Sequence, residues 1–384
     1  MKMWKYCVFF VLVLNYHVVY SQTAPPDENK FVKTVLKSDM NSPMELAVAD
    51  DGRIFYTELP GKLSMYDPKS KTSKLVHQFF VPPYRGTGLI GITLDPNFNR
   101  NRQLYLYYTP GRFPVDSTQF FLSRFTLTPA NKIDTLSEKV FLRVPVKTNV
   151  GAHYGGSLRF DKQGNLFLST GDGTTPFPSN GYAPLDERPG YDSLDAQRSA
   201  ANTNSLQGKI LRIHPQPDGT YTIPEGNLFP KGTPGTRPEI YVMGVRNPYR
   251  IAINPNTSVL YWGDIGPDAG KDSLRGAKGY DEFNQAKAPG NYGWPYFIGN
   301  NQAYPKWDFV NNTAGPLFDT AAPINNSPNN TGIHNLPPAK PAMIWYPYLV
   351  SEDFPGLGEG GRCAIGGDFY TYNPNSSSVY KFPK

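Results

Sequence analysis

Residues 151–173 read GAHYGGSLRFDKQGNLFLSTGDG, and the order of apolar and polar residues spells a strand, a turn and a returning strand. Ser157–Phe160 is the first strand, Asp161-Lys162-Gln163-Gly164 the turn, and Asn165–Thr170 the return, followed by an acidic loop. An antiparallel strand comes back to the rim that its partner left. The loop before the first strand and the loop after the second therefore share one edge of the sheet. This predicts that His153 and Asp172 are neighbours in space, and a histidine with a carboxylate partner is the simplest proton-taking pair a chain can build.

The same unit recurs. Met44–Val48 leads through Asp50-Asp51-Gly52 to Arg53–Thr57, Glu58 and a third strand near Lys62–Tyr66. Gly88–Leu94 leads through Asp95-Pro96-Asn97 to Gln103–Tyr108 and Phe121–Leu127. The copy at Ser157 closes with Lys209–Ile213, and Tyr249–Ile253 leads through Asn254-Pro255-Asn256 to Ser258–Trp262 and Gly263-Asp264. Long polar insertions fall at Thr174–Ser205 and Gly270–Pro341, and Asn300–Asn330 reads as a surface loop or lid. Repeated up-and-down sheets bury their faces by packing radially about an axis, which predicts an all-β propeller. The competing β-sandwich requires first strands that alternate inside and outside; here they are small and apolar throughout. Cys363–Phe369 reads as a fifth first strand, and the chain ends at Lys384, so an incomplete propeller over residues 30–384 is expected.

Composition agrees. The 384 residues include 36 Gly, 38 Pro, 25 Tyr and 23 Phe with only 18% charged side chains, which favours short strands and tight turns over helices. Residues 1–21 combine Lys2 and Lys5, an apolar run at Cys7–Leu14 and small residues at Val19 and Ser21. This reads as a signal peptide cleaved near Gln22, giving a periplasmic or secreted protein that is not an integral membrane protein once cleaved. The run is shorter than the roughly 20 residues of a membrane span. Cleavage takes the formal charge from +6 to +4. No basic run is interleaved with aromatics, so nucleic acid is excluded as a partner. With Cys7 removed, Cys363 has no partner for a disulfide.

His153 and Arg246 each stand eight residues before the turn residue of their own copy, Asp161 and Asn254. Equal offsets predict that both side chains sit at the same level of one rim. Asp172 and Asp264 occupy equivalent exits. Each is either an Asx-type turn residue or, for Asp172, the carboxylate that fixes the imidazole tautomer. Arg246-Asn247-Pro248 offers a cationic fork and an amide suited to an anionic or quinonoid ligand, or to loop carbonyls. The Gly266-Pro267 carbonyls suit a hard cation such as calcium, or only make a turn.

At these residues the chain resembles the soluble glucose/sorbosone dehydrogenase family. The resemblance rests on Asn41-Ser42-Pro43, Gly88-Leu89-Ile90-Gly91 with Asp95-Pro96-Asn97-Phe98, His153 followed by Gly156-Ser157-Leu158, and Thr170-Gly171-Asp172. It continues through Gln207–Arg212, Gly244–Pro248, Gly266-Pro267 and Gly290-Asn291-Tyr292-Gly293-Trp294-Pro295, in family order over roughly residues 30–370. The resemblance implies a six-bladed propeller with pyrroloquinoline quinone and calcium as cofactors, and a sugar or related alcohol as substrate. It further implies His153 as base, Asp172 as its partner, Arg246 and Asn247 on cofactor and reacting oxygen, and Gly266 and Pro267 on calcium. The electron acceptor stays unknown. Ala152 stands where the glucose enzyme has an acid, Gly86 where it has a glutamine, and Met343 and Tyr346 near its sugar-covering aromatics, so glucose itself is not implied. The other reading is a non-catalytic recognition propeller, since one scaffold hosts many functions.

Overall fold

The computed structural model describes residues 33–82, 86–111, 118–147 and 153–375. The signal sequence expected at 1–21 lies outside them, as do Gly151 and Ala152. Residues 33–38 carry no helix or strand, and the main compact unit starts at Asp39.

Four sheets follow one another along that unit. The first contains β1 (Pro43–Val48), β2 (Ile54–Glu58), β3 (Lys62–Asp67) and β4 (Thr72–Gln78), paired in sequence order. The second repeats the pattern with β5 (Leu89–Leu94), β6 (Gln103–Tyr108), β7 (Gln119–Leu127) and β8 (Ile133–Pro145). The third contains β9 (Leu158–Phe160), β10 (Leu166–Thr170), β11 (Lys209–Pro215) with the short β12 (Tyr221–Thr222) beside it, and β13 (Ile240–Met243). The fourth starts with β14 (Pro248–Ile253), β15 (Leu260–Asp264) and β16 (Asp281–Ala286). Then β17 (Gly290–Asn291) returns to pair in parallel with β13. Two hairpins follow, β18 (Phe297–Ile298) with β19 (Gln302–Ala303) and β20 (Pro305–Asp308) with β21 (Thr313–Leu317). Finally β22 (Ile344–Tyr346) completes the fourth sheet.

The side-chain period of two decides how these sheets stack. On β6, Leu104, Leu106 and Tyr108 join one core with Phe55 and Leu63 of the first blade, while Tyr105 and Tyr107 join another with Leu158 and Leu168 of the third. On β10, Leu166 and Leu168 face that second core, whereas Phe167 faces Trp262 and Ile251 of the fourth blade. Successive strand residues thus bury against successive sheets, each contributing on the order of 1.5–3 kcal/mol of apolar burial. A sandwich has one inner layer; here the cores lie in series between adjacent sheets. The fold is an all-β propeller, with four blades among the described residues.

The turns that close the inner hairpins are local. Asp161 Oδ1 accepts the N–H groups of Gln163 and Asn165 at 2.9 and 2.8 Å, and Asp95 and Asn254 take the N–H two residues on at 2.8 and 2.9 Å. Such Asx turns hold the chain before any distant contact forms.

Three expectations are corrected. Gly270–Pro341 is not wholly an insertion, because it contains β16, the third strand of blade four. Cys363–Phe369 forms no strand: it runs past a sheet already four strands wide, held by the Ala364 N–H on Asp281 Oδ2 at 2.7 Å. Asn300–Asn330 is no free lid. Asn325 is buried and donates to the Gln197 and Ala201 carbonyls, while Ser327 and Asn329 bond to Asp195, tying this stretch to the Thr174–Ser205 insertion. Among the described residues no helix is long and apolar enough to cross a membrane.

Candidate active site

The structure brings His153 and Asp172 together: the imidazole Nδ1 lies 2.8 Å from Asp172 Oδ1. His153 adopts φ +55°, a left-handed conformation that costs a non-glycine residue roughly 1–3 kcal/mol. Its backbone is pressed against the exit of β10, where an alanine Cβ at Gly171 would collide with the His153 carbonyl. Gly173 N–H then bonds that carbonyl at 3.2 Å. The ring is mostly enclosed, and Nε2 has no hydrogen-bond partner among the described residues.

Asp172 is fully buried and saturated. Oδ1 also accepts the Thr174 N–H at 3.0 Å, and Oδ2 accepts the Thr174 hydroxyl at 2.8 Å and the Trp294 indole N–H at 2.7 Å. Burial pushes its carboxyl up, but His153 first, then Arg246 and Thr174, outweigh burial and leave it below the ordinary carboxylate range. Burial, followed by the Arg246 charge, pulls the His153 imidazole below 6.5 despite the opposing pull of Asp172. The result is a neutral imidazole beside an ionised acid, with its bare nitrogen turned away from the acid.

Arg246 shares this rim. Its carbonyl accepts the Asp172 N–H at 2.8 Å, so the segment after β10 is tied to the segment before β14. The Arg246 and Asn247 N–H groups donate to Asp264 at 3.1 and 2.6 Å, and Arg246 Nη1 donates to the Ile265 carbonyl at 2.6 Å. Its guanidinium lies 5.9 Å from the Trp294 ring centre, and Nε is buried without a partner. Asn247 Oδ1 accepts the Gly155 N–H at 3.1 Å. An orphaned guanidinium N–H beside an indole fits an anionic, planar, oxygen-rich ligand such as a quinone.

The calcium expectation fares differently. Gly266 is a tight passage, since a Cβ there would collide with the Tyr280 carbonyl. Its N–H donates to Asp281 at 3.0 Å. The Pro267 carbonyl, however, accepts Arg362 Nη2 at 2.7 Å. Two unit charges 4 Å apart near a protein surface interact by about 4 kcal/mol, so a guanidinium on this oxygen opposes a divalent cation there. As arranged, this turn does not fit calcium.

Beneath Arg246, Asp264 and Glu282 face each other across β15 and β16. With Arg246 they line a cavity of about 10 Å³. Burial pushes Asp264 up to about 7 and, with the Asp264 and Asp281 charges, Glu282 up to about 8. A folded-state pKa above the unfolded one gives stability that is complete at low pH and is lost as pH rises through the folded value. The wild-type chain should therefore lose about 1.4 kcal/mol per pH unit for each proton concerned, over a window running up to about 8 for Glu282. Glu282→Gln is expected to flatten that slope, raising the melting temperature at pH 8–9 and converging with wild type toward acid. Asn284, which donates Nδ2 to Glu282 Oε2 at 3.0 Å, receives the new amide on its unpaired Oδ1 once its own amide rotates. Melting curves across pH check this.

All six expected site residues thus lie around one rim of blades three and four. Two contributors escaped the sequence reading. Trp294 was quoted only as part of a motif, though its indole binds Asp172 from 122 residues away. Arg362 carried no local signal at all.

The profile of the Glucose / Sorbosone dehydrogenase family matches residues 40–324. Aldose sugar dehydrogenase YliI of Escherichia coli is 30% identical over 238 residues, covering 60% of this chain and 54% of that protein. The chain thus spans about half the length of that relative. Quinoprotein glucose dehydrogenase B of Acinetobacter calcoaceticus is 26% identical over 94% of this chain and 74% of its own. Mouse Hedgehog-interacting protein is 25% identical over 56% of this chain and 31% of its own. In three dimensions the PQQ-bound aldose sugar dehydrogenase of Streptomyces coelicolor superposes with a TM-score of 0.52 at 22% identity, over 76% of this chain and 72% of that one, which speaks for the fold. The profile match covers more than half of the residues, and the chain belongs to the glucose/sorbosone dehydrogenase family.

Proposed function

We propose that this chain is the catalytic propeller of an exported, quinone-dependent dehydrogenase that oxidises a sugar or related alcohol. One observation carries the reading: the neutral His153 imidazole, fixed by Asp172 and with Nε2 unbonded, stands on the same rim as the Arg246 orphan donor. Arg246 and Asn247 would hold pyrroloquinoline quinone, which supplies a hydride acceptor when bound. His153 Nε2 takes the proton of the substrate hydroxyl, leaving a carbonyl product. Asp172 keeps the Nδ1 proton in place, so that Nε2 stays the lone-pair nitrogen. Trp294 and Thr174 anchor Asp172 and keep water from its oxygens. Six-bladed closure belongs to this reading, as does export.

The test is reconstitution of the protein with pyrroloquinoline quinone, followed by dye reduction across a panel of aldoses and alcohols. Quinone binding with turnover of at least one substrate is expected. Absence of both would leave the recognition propeller, the reading that the likeness to Hedgehog-interacting protein favours.

A further inference from the structure

We propose that the Arg362 guanidinium takes the place of the divalent cation at the Gly266-Pro267 turn, so that the anionic quinone is bound without calcium. The inference rests on the quinone reading above. Arg362 reaches the turn from the glycine-rich stretch after β22, with its side chain only 2% exposed. Nη2 donates to the Pro267 carbonyl at 2.7 Å, and Nη1 lies 3.6 Å from Asp281 Oδ1. Cζ sits 3.9 Å from the centre of the Tyr348 ring.

The surroundings are built for this cation. Asp281 accepts the Gly266 N–H on Oδ1 and the Ala364 N–H on Oδ2, so one carboxylate fixes both the turn and the segment that carries the arginine. Tyr348 donates to Asp268 at 3.2 Å, and Asp268 in turn lies 4.0 Å from Arg246 Nη2. Residues 265–267 are thereby flanked by two guanidiniums, one on the Ile265 carbonyl and one on the Pro267 carbonyl. Arg246 Nε and Arg362 Nε are buried without a hydrogen-bond acceptor, and Arg362 Nη1 has only the 3.6 Å ion pair with Asp281. Buried unpaired donors on charged groups are costly, and an anion supplying oxygen acceptors relieves that cost. A divalent cation supplies none and adds repulsion. The donor set therefore suits a ligand that brings oxygen acceptors and not a second cation.

Pyrroloquinoline quinone is titrated into the full chain, with tryptophan fluorescence as readout, once in EDTA and once in millimolar calcium. The two dissociation constants are expected to agree within about two-fold. Arg362→Ala is expected to weaken binding in EDTA by about ten-fold or more, the value of a charged hydrogen bond, with calcium restoring part of the loss. Arg362→Lys should keep calcium-independent binding. Binding of the wild-type protein in calcium but not in EDTA overturns the inference and leaves the quinone reading standing. Absence of binding in both buffers overturns the two together. The wild-type comparison needs no variant to fold.

Discussion

Replacing His153 by alanine is expected to lower kcat by about 10²–10⁴-fold, the usual contribution of a positioned base. Binding of pyrroloquinoline quinone should stay close to the wild-type value, because the orphan donors belong to Arg246 and Arg362 and not to the imidazole. The fold should survive as well: alanine gives up the ring's one hydrogen bond and its packing but keeps the left-handed backbone. Steady-state dye reduction and a fluorescence titration on the same preparation separate the two effects. Unchanged turnover would falsify the assignment of the base.

Asp172→Asn is expected to cost on the order of 10²-fold or more in kcat/KM, by a route that the hydrogen bonds dictate. All four partners of this carboxylate are donors: His153 Nδ1, the Thr174 N–H, the Thr174 hydroxyl and the Trp294 indole. An indole can only donate. Either orientation of the asparagine strands one donor; the one that keeps the indole and hydroxyl bonds turns its oxygen toward Trp294 and its NH2 toward His153. The imidazole then accepts on Nδ1 and carries its proton on Nε2, which is the wrong tautomer for a base. Thr174 N–H loses its acceptor at the same time, a cost of about 1–3 kcal/mol visible in thermal denaturation. The pH profile supplies a second check. In the wild type, burial and Arg246 hold the imidazole below 6.5, so the acid limb of kcat/KM should fall below that pH. Removing the Asp172 charge removes an influence that raises the imidazole pKa, and the residual activity should show its acid limb lower still. A limb that moves upward would contradict the assigned pairing.

Much of the fold was legible because its signals are local. The inner hairpins announce themselves through Asx residues such as Asp161 and Asn254, whose side chains bond the backbone two to four residues away. The alternation on β6 and β10 follows from the strand period. Outer strands were harder. Strand β16 hides within a polar insertion, and β22 pairs with it across 57 intervening residues. Nothing near Ile344–Tyr346 tells which sheet it will join. The misreading of Cys363–Phe369 has the same origin: an apolar run becomes a strand only where a free edge meets it, and edges are a tertiary property.

The candidate site divides along the same line. That His153 and Asp172 meet could be read from the chain, because two short antiparallel strands return to one rim whatever else happens. Equal offsets likewise placed Arg246 at the level of His153. The amino-acid order alone therefore determined an all-β repeat, its inner turns, and a histidine–carboxylate pair with an arginine on a common edge. Only the three-dimensional packing decided that Trp294 anchors the acid, that Asp264 faces Glu282 in the interior, and that Arg362 rests on the Pro267 carbonyl. Each of these joins residues brought together by sheet pairing or by sheets stacking on one another, and such contacts have no spacing rule to betray them in the linear chain.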